Sequence, residues 1–335
     1  VDDLYGAAVN FWSLICERAP HETKIRIYNP DYERHGWQTT HTVVEVICED
    51  MPFIVDSLRI VINRMGLTSH LTIHMGGIRV KRDSHNRVTE ILPRNGGAAR
   101  DDVLHEAPIF IEIDRQTDPA TLSELHKNFE RALEDNRAVF EDWDKMRTKV
   151  REIIKELDTV PKTIDISEIE ETKAFLNWME DHHFTFLGLR DYDLVKKGKE
   201  TILQPIPETG LGVLRQSLSK SNARSITAMG PEAQGLISSP RILVMSKTNT
   251  LASVHRDAYT DYIGVKRFNK KGEVIGERRI IGLYTSAAYH TNPKHIPFLR
   301  HKVALIMKNS NLNPYSHAGK VLLNILETLP RDDLI

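Results

Sequence analysis

The sequence predicts an α+β protein built from two domains, and three observations support this prediction. Amphipathic helical stretches alternate with β-branched stretches throughout the first half of the chain. The second half contains a run of short strands joined by polar turns, which is typical of an antiparallel sheet. With 335 residues the chain is also longer than the roughly 150 residues of a usual domain. We place the boundary in the segment 158–165, so that the two domains span 1–158 and 159–335.

Composition and charge exclude several classes of function. Hydrophobic residues make up 40% of the chain and charged residues 27%, which is the balance of an ordinary globular protein. The 45 Lys and Arg residues are matched by 46 Asp and Glu residues, so no charge excess favours nucleic acid or a membrane surface. No apolar run approaches the ~20 residues that span a bilayer. The two cysteines, Cys16 and Cys48, fit a reducing compartment, and we expect a cytoplasmic protein.

Both ends of the sequence suggest a fragment. The chain starts at Val1 without an initiator Met or a signal-peptide pattern, and it stops at Ile335 shortly after a helical pattern. We therefore expect the chain to be part of a longer protein.

The first domain is predicted to begin with a helix over residues 3–18. His41–Cys48 is rich in β-branched residues, which indicates a buried strand. Asp50 follows as a plausible N-cap of the next helix, and Pro52 would lie in its first turn, where a missing N–H costs nothing. This strand and helix open the most strongly patterned part of the chain.

The order of elements after this helix favours a ferredoxin-like domain. Gly66 stands where a left-handed residue would end the helix, and a strand resumes over 68–80. Another strand at Pro108–Ile113 precedes a long helix over 119–157. The resulting order, β-α-β-β-α, lacks the fourth strand of a ferredoxin-like sheet. Lys24–Tyr28 could supply that strand from the N-terminal side.

The long helix carries an apolar seam with a seven-residue repeat. Its members are Leu122, Leu125, Phe129, Ala132, Val139, Trp143, Met146, Val150, Ile153 and Leu157. Asn136 is the gap in this seam, and the helix could be broken near it. Two interpretations remain open: the seam packs against the chain's own sheet and a neighbouring domain, which we favour, or it forms an intermolecular coiled coil.

The second domain is predicted to contain an antiparallel meander flanked by helices. Ser167–Glu170 has a capping-box pattern, and residues 207–239 are rich in Gly, Ser and Pro, which indicates a loop. The predicted strands are Phe184–Leu189, Ile242–Met245, Ala252–His255, Asp261–Phe268 and Val274–Thr285. The predicted turns lie at 247–250 and 269–272, and the closing helices at 296–309 and 316–328.

No catalytic, cofactor or metal site is predicted within the chain. Gly210 and Gly212 begin a dinucleotide-like glycine pattern, but Arg215 occupies the position of the third glycine. His70 and His74 are spaced four apart on a predicted strand, without the surroundings of a zinc site. No nucleophile stands near a base, so the residues alone indicate a non-catalytic module.

The stretch Glu49–Ser57, together with Asn63–Leu67, resembles ACT domains. In that family a D-x-P-G-like turn opens the first helix, and small effectors, often amino acids, bind near this turn. The resemblance implies an effector site formed by five residues: Asp50, Met51, Phe53, Asp56 and Ser57. Phe53 departs from the family pattern, which commonly has Gly at this position. The alternative is a degenerate ACT-like domain that serves only for packing.

The resemblance becomes specific over the whole chain. The matching stretches are His35–Glu45, Asp50–Ser57, Ile296-Pro297, Ser316–Lys320 and Asn324–Asp332. Together they resemble the N-terminal region of the large bacterial NAD-dependent glutamate dehydrogenases. Members of that family oxidise glutamate to 2-oxoglutarate and ammonia, with NAD and the catalytic lysines held in a C-terminal part.

This resemblance implies an ACT-like domain followed by a PAS-like domain, for which the meander at 184–285 is suited. It implies a regulatory and architectural role, with a second copy of the chain and the C-terminal catalytic region as partners, and an amino acid as a possible effector. The alternatives are an assembly module that binds no ligand and a stand-alone ACT/PAS sensor.

Overall fold

A computed structural model describes residues 2–74, 76–93, 102–161, 164–197, 200–215 and 241–329. The chain divides into two compact units. Unit 1 comprises Val1–Phe140 and Ser253–Asp257, and unit 2 comprises Glu141–Ala252 and Ala258–Ile335. This division falls after Phe140 and therefore differs from the predicted domain boundary at 158–165, which stays a prediction.

Unit 1 alternates helices and strands. In chain order its elements are α1 (Asp2–Ile15), β1 (Lys24–Tyr28), α2 (Tyr32–His35), β2 (Thr42–Glu49), α3 (Ile54–Arg64), β3 (Ser69–Ile73), β4 (Ile78–Arg82), β5 (Val88–Leu92), β6 (Leu104–Ile113) and α4 (Pro119–Glu156). The part of α4 beyond Phe140 belongs to unit 2. β5 is the one strand of this series that the sequence pattern does not predict.

The sheet of unit 1 confirms the predicted origin of its fourth strand. Its order is β1-β2-β6-β4-β5, with β3 also paired to β6, and every pair is antiparallel. β1 pairs with β2 through Ile27 and Val44. β3 and β4 lie on successive stretches of β6, so they act as two halves of one interrupted strand.

Alternation along β2 determines which side chains face which helix. Val44 and Val46 point to the face covered by α3 and α4, whereas Val43 and Ile47 point to the face covered by α1. The core under α3 and α4 contains Val44, Val46, Ile109, Ile111, Leu58, Ile62, Leu125 and Phe129. Burial of these side chains supplies the main driving force for forming this layer.

The long helix α4 runs without a break through Asn136. Most of its apolar seam is buried within the chain: Leu125, Phe129, Ala132, Val139, Met146, Val150, Ile153 and Leu157. Because the seam is already covered, the structure favours packing within the chain over an intermolecular coiled coil.

Unit 2 contains one antiparallel sheet and four shorter helices among its described residues. Its elements are α5 (Ile166–Trp178), β7 (Phe184–Lys197), β8 (Glu200–Pro205), β9 (Leu211–Gly212), β10 (Leu243–Leu251), β11 (Tyr259–Phe268), β12 (Val274–Tyr284), α6 (Ser286–His290), α7 (Leu299–Asn309) and α8 (His317–Thr328). The strand order is β10-β11-β12-β7-β8, with β9 paired to β7. The predicted loop 207–239 lies mostly outside the described residues.

Two predicted features of the meander are wrong and one is confirmed. Ala252–His255 does not form a strand. Residues 247–250 do not form a turn, because β10 continues through them with a bulge before Leu251. Thr248 accepts a hydrogen bond from the N–H of Thr250 at 3.1 Å, which compensates for the disturbed strand pairing. The turn at 269–272 is confirmed, since Gly272 has a φ of 84°.

Helix starts in unit 2 show how local capping decides the boundary. The predicted cap at Ser167 is wrong, because Asp165 caps α5 and accepts from the Ser167 N–H at 2.9 Å. Ser316, at the predicted start of the last helix, caps α8 by accepting from the Gly319 N–H. Among the described residues, no helix is both long and apolar enough to cross a membrane.

Candidate functional site

The candidate site is the turn that leads from β2 into α3. Asp50 does not cap the helix as predicted, because its N–H donates to the carbonyl of His105 at 3.0 Å and keeps Asp50 at the sheet. The helix therefore begins at Ile54, and Phe53 takes the N-cap position without a side-chain capping bond.

Phe53 adopts a left-handed backbone conformation with a φ of 66°. This conformation costs an L-residue other than glycine about 1–2 kcal/mol. The ACT resemblance marks the same position as one where glycine is common. The turn thus keeps the shape that glycine would allow, although the side chain is now a phenyl ring.

Two of the predicted site residues support the turn from the core side. Ser57 is fully buried, and its hydroxyl donates to the Phe53 carbonyl at 2.8 Å. Met51 is also buried. The amide of Asn136, the gap in the α4 seam, donates to the Pro52 carbonyl at 3.0 Å. These groups position the turn instead of facing solvent.

The other two predicted residues place carboxylates beside the turn. Asp56 lies in the first turn of α3 and is exposed. Asp50 is half-buried and lies against Gly77, where a Cβ atom would come within 2.0 Å of Asp50 Oδ2. Glycine at position 77 is therefore needed to leave room for the Asp50 carboxylate.

The start of α7 in unit 2 is similar to this turn, but the ψ of its Phe is −45° instead of 8°. Phe298 follows Pro297, precedes the helix and has a φ of 65°. Its N–H donates to Glu171 Oε1 at 2.6 Å, and the buried Glu171 carboxylate also pairs with Arg300. Burial raises the pKa of Glu171, but the hydrogen bonds from Arg300 and Phe298 outweigh it and hold the pKa below its ordinary value.

Helix α3 has no equivalent of Glu171 within the described part of the chain. No side chain there accepts a hydrogen bond from the N–H groups of residues 53–56. The helix start therefore offers free donors and a positive dipole end, with two carboxylates nearby.

A short segment of unit 1 that is distant in sequence lies against this turn. The ring of His255 packs on the ring of Phe53, with centroids 4.4 Å apart. Burial and the charge of Arg256 lower the pKa of His255, while Asp56 opposes this shift. This role of His255 is not predicted from the sequence, because His255 is far from the turn along the chain and no local pattern indicates the contact.

The other residues considered in the sequence do not converge on a second site. His70 pairs with Asp114 at 2.7 Å, while His74 lies 3.4 Å from the carbonyl of Pro108. Over the described residues, no group of three or more His, Cys, Asp or Glu side chains is arranged to hold a metal ion. Gly212 lies in β9, and Arg215 pairs with Asp142.

The sheet order, the two helices on one face and the turn before α3 define unit 1 as an ACT-type domain. Residues 1–129 match the family model described as the ACT1 domain of glutamate dehydrogenase. Residues 296–335 match helical motif 1 of glutamate dehydrogenase. These two matches and the relatives described next fit an N-terminal region of NAD-specific glutamate dehydrogenases.

Individual relatives agree with this assignment. The chain is 38% identical over all of its 335 residues to an NAD-specific glutamate dehydrogenase of Halomonas elongata, and covers 21% of that protein. It is 36% identical over its whole length to one of Pseudomonas aeruginosa, covering 20% of it. Identity to one of Mycobacterium tuberculosis is 23% over 95% of the chain, or 18% of that protein. The chain thus spans about a fifth of the length of these curated relatives.

Proposed function

We propose that this chain is a non-catalytic regulatory segment of an NAD-dependent glutamate dehydrogenase, and that unit 1 binds a free amino acid at the start of α3. The parent enzyme would convert L-glutamate, NAD and water into 2-oxoglutarate, ammonia and NADH. The observation that carries the proposal is the contrast between two similar helix starts. The start of α7 binds the Glu171 carboxylate, whereas none of the described side-chain carboxylates bonds the N–H donors at the start of α3.

A zwitterionic ligand fits the charges around the turn. Its carboxylate would accept from the N–H groups of residues 53–55, where the helix dipole favours negative charge. Its ammonium group would face the carboxylates of Asp50 and Asp56, which repel a simple anion. Met51 and Ser57 would hold the turn in place without touching the ligand.

Regulation would follow from a difference in affinity between two states of the parent enzyme, since a ligand that binds both equally shifts nothing. The parent would be a cytoplasmic homo-oligomer, and NAD would bind in its C-terminal catalytic region. The names of the relatives support this activity, and the free thiols of Cys16 and Cys48 agree with a reducing compartment.

Residues 159–335 would form the PAS-like domain, following an ACT-like domain over 1–158. The support is the sheet of unit 2, in which every strand pair is antiparallel and the first and last long strands, β7 and β12, are central neighbours. Helices precede and follow this sheet, as they would in a sensor-type domain.

A purely structural assembly module is the second candidate. Apolar side chains are exposed on and between α7 and α8, within the region matched by helical motif 1: Leu305, Leu312, Tyr315, Val321 and Ile325. Such surface fits packing against another part of the parent protein. A stand-alone ACT/PAS sensor is a third candidate, which a gene encoding only this segment would favour.

Isothermal titration of the 335-residue chain with each proteinogenic amino acid tests the proposal. We expect one class of amino acid to bind, and its N-acetylated and decarboxylated analogues to fail. The variant Asp56→Asn should bind about tenfold more weakly or worse, because it loses a charge-assisted contact. The matched variant Asp144→Asn, at an exposed position on α4, should leave the affinity unchanged.

The absence of binding heat for every amino acid at concentrations well above millimolar would contradict the proposal. In the parent enzyme, the bound amino acid should change the rate of glutamate-dependent NAD reduction, and removal of this segment should abolish that change. Disassembly or complete inactivity without any such response would instead support the assembly module.

A further inference from the structure

The segment 253–257 is fixed to unit 1 by three different contacts and one fully buried side chain. Ser253 donates to the buried carboxylate of Asp135 on α4 at 2.5 Å. Val254 is fully buried. His255 stacks on Phe53, and Asp257 pairs with Arg64 at 2.6 Å. A surface loop seldom has so many specific anchors in five residues.

These contacts follow α3 from one end to the other. Phe53 precedes the first residue of α3, and Arg64 is its last residue. His255 also interacts electrostatically with Asp56, in the first turn of the helix. The segment therefore lies beside the surface where the ligand's ammonium group would meet Asp56, with the His255 ring on Phe53.

Both stacked residues have strained backbones. Phe53 has a φ of 66° and His255 a φ of 79°, and neither is glycine. A left-handed conformation of a bulky residue persists only where the surroundings enforce it, and such residues cluster at ligand clamps and switches. Here the two strained residues lie with their rings in contact.

We infer that residues 253–257 are a built-in occupant of the amino-acid site, and that this segment must leave α3 before the amino acid binds. The inference rests on the proposed function, whose site it regulates. The anchors suit reversible release, because the Arg64–Asp257 pair is partly exposed, with 34% and 41% of the side chains accessible. Only Val254 would leave a fully buried position.

Hydrogen exchange and titration on the whole chain test this inference. In the double variant His255→Ala/Asp257→Asn, we expect the amides of residues 57–60 to exchange about tenfold faster, since opening of the turn no longer has to break the stack and the ion pair. The affinity for the amino acid should rise by about the same factor. The control is Arg87→Gln, which removes the exposed pair to Glu17 elsewhere in unit 1.

The outcomes separate the two proposals. If exchange is faster but no variant binds an amino acid, the result supports docking of the segment on α3. It rejects the amino-acid site and, with it, the competition between the segment and the amino acid. Amino-acid binding of equal strength in wild type and double variant would reject the competition and retain the proposed function. Unchanged exchange in the double variant would overturn the docking role itself. If the double variant does not fold, Ser253→Ala provides the same test through loss of the bond to Asp135.

Discussion

Helices α3 and α7 begin with the same local device in two different units. Each follows a Pro-Phe pair whose Phe has a positive φ, 66° at Phe53 and 65° at Phe298, although ψ is 8° at Phe53 and −45° at Phe298. Each ring packs on another ring: Phe53 on His255, and Phe298 on Phe175 at a centroid distance of 5.7 Å. The two starts differ in the ψ angle of the Phe and, among the described residues, in the Glu171 carboxylate, which bonds the start of α7 and has no counterpart at α3.

This difference shows how similar helix starts can serve either the stability of the fold or the binding of a ligand. At α7 the carboxylate belongs to the chain, so the donors of the helix start are satisfied when the protein folds. At α3 the same kind of donors remain available to a carboxylate that comes from outside. Variants that change the start of one helix at a time, with the other helix start as reference, test this difference.

The largest effect is expected when the carboxylate of the filled start is removed. The variant Glu171→Ala leaves the Phe298 N–H and Arg300 without their acceptor, which should cost about 2 kcal/mol of unfolding free energy. Urea unfolding measures this cost. The neighbouring Glu170→Ala removes an exposed carboxylate and should change stability by no more than about 0.5 kcal/mol. Equal effects of the two variants would show that Glu171 does not serve as the cap of α7.

A medium effect is expected at Phe53. The variant Phe53→Ala loses the contact with His255 but keeps the strained backbone, whereas Phe53→Gly loses both the contact and the strain. The Gly variant should therefore be more stable than the Ala variant by about 1 kcal/mol. The same order should hold for Phe298→Gly and Phe298→Ala. Denaturant midpoints provide the measurement, and an Ala variant as stable as the Gly variant would argue against a left-handed residue at that position.

The smallest effect is expected from the protonation of His255. Its pKa in the folded chain lies below the ordinary value of 6.5, so the unfolded chain binds protons more readily in this range. Stability should therefore fall as the pH drops below 6.5 towards the folded-state pKa, by less than about 1 kcal/mol per pH unit. The variant His255→Phe keeps a ring for stacking and should lack this component. A difference between wild type and variant that does not change with pH would contradict the assignment.

The sequence was sufficient to predict the elements whose pattern is local. The β-branched run of β2, the left-handed Gly66 and the start of the last helix near Ser316 depend on neighbours within a few residues, and all three predictions are confirmed. The strand β1 was also found, since its short β-branched run stood alone between turn residues.

The predictions failed where distant contacts decided the outcome. Asp50 appeared suited to cap α3, but its bond to His105 on β6 keeps it at the sheet. Residues 252–255 have the composition of a strand, yet their side chains are used as anchors on α3 and α4. Asn136 was only a gap in a repeat, and its role in holding Pro52 became clear only in three dimensions.

The most direct test of the central claim is hydrogen exchange of the chain with and without the amino acid that titration identifies, at saturating concentration. The account predicts slower exchange at residues 53–57, where the ligand carboxylate would bind, and no change at residues 298–302, whose carboxylate is already supplied by Glu171. Protection that is absent at the start of α3, or that is found at the start of α7 instead, would contradict it.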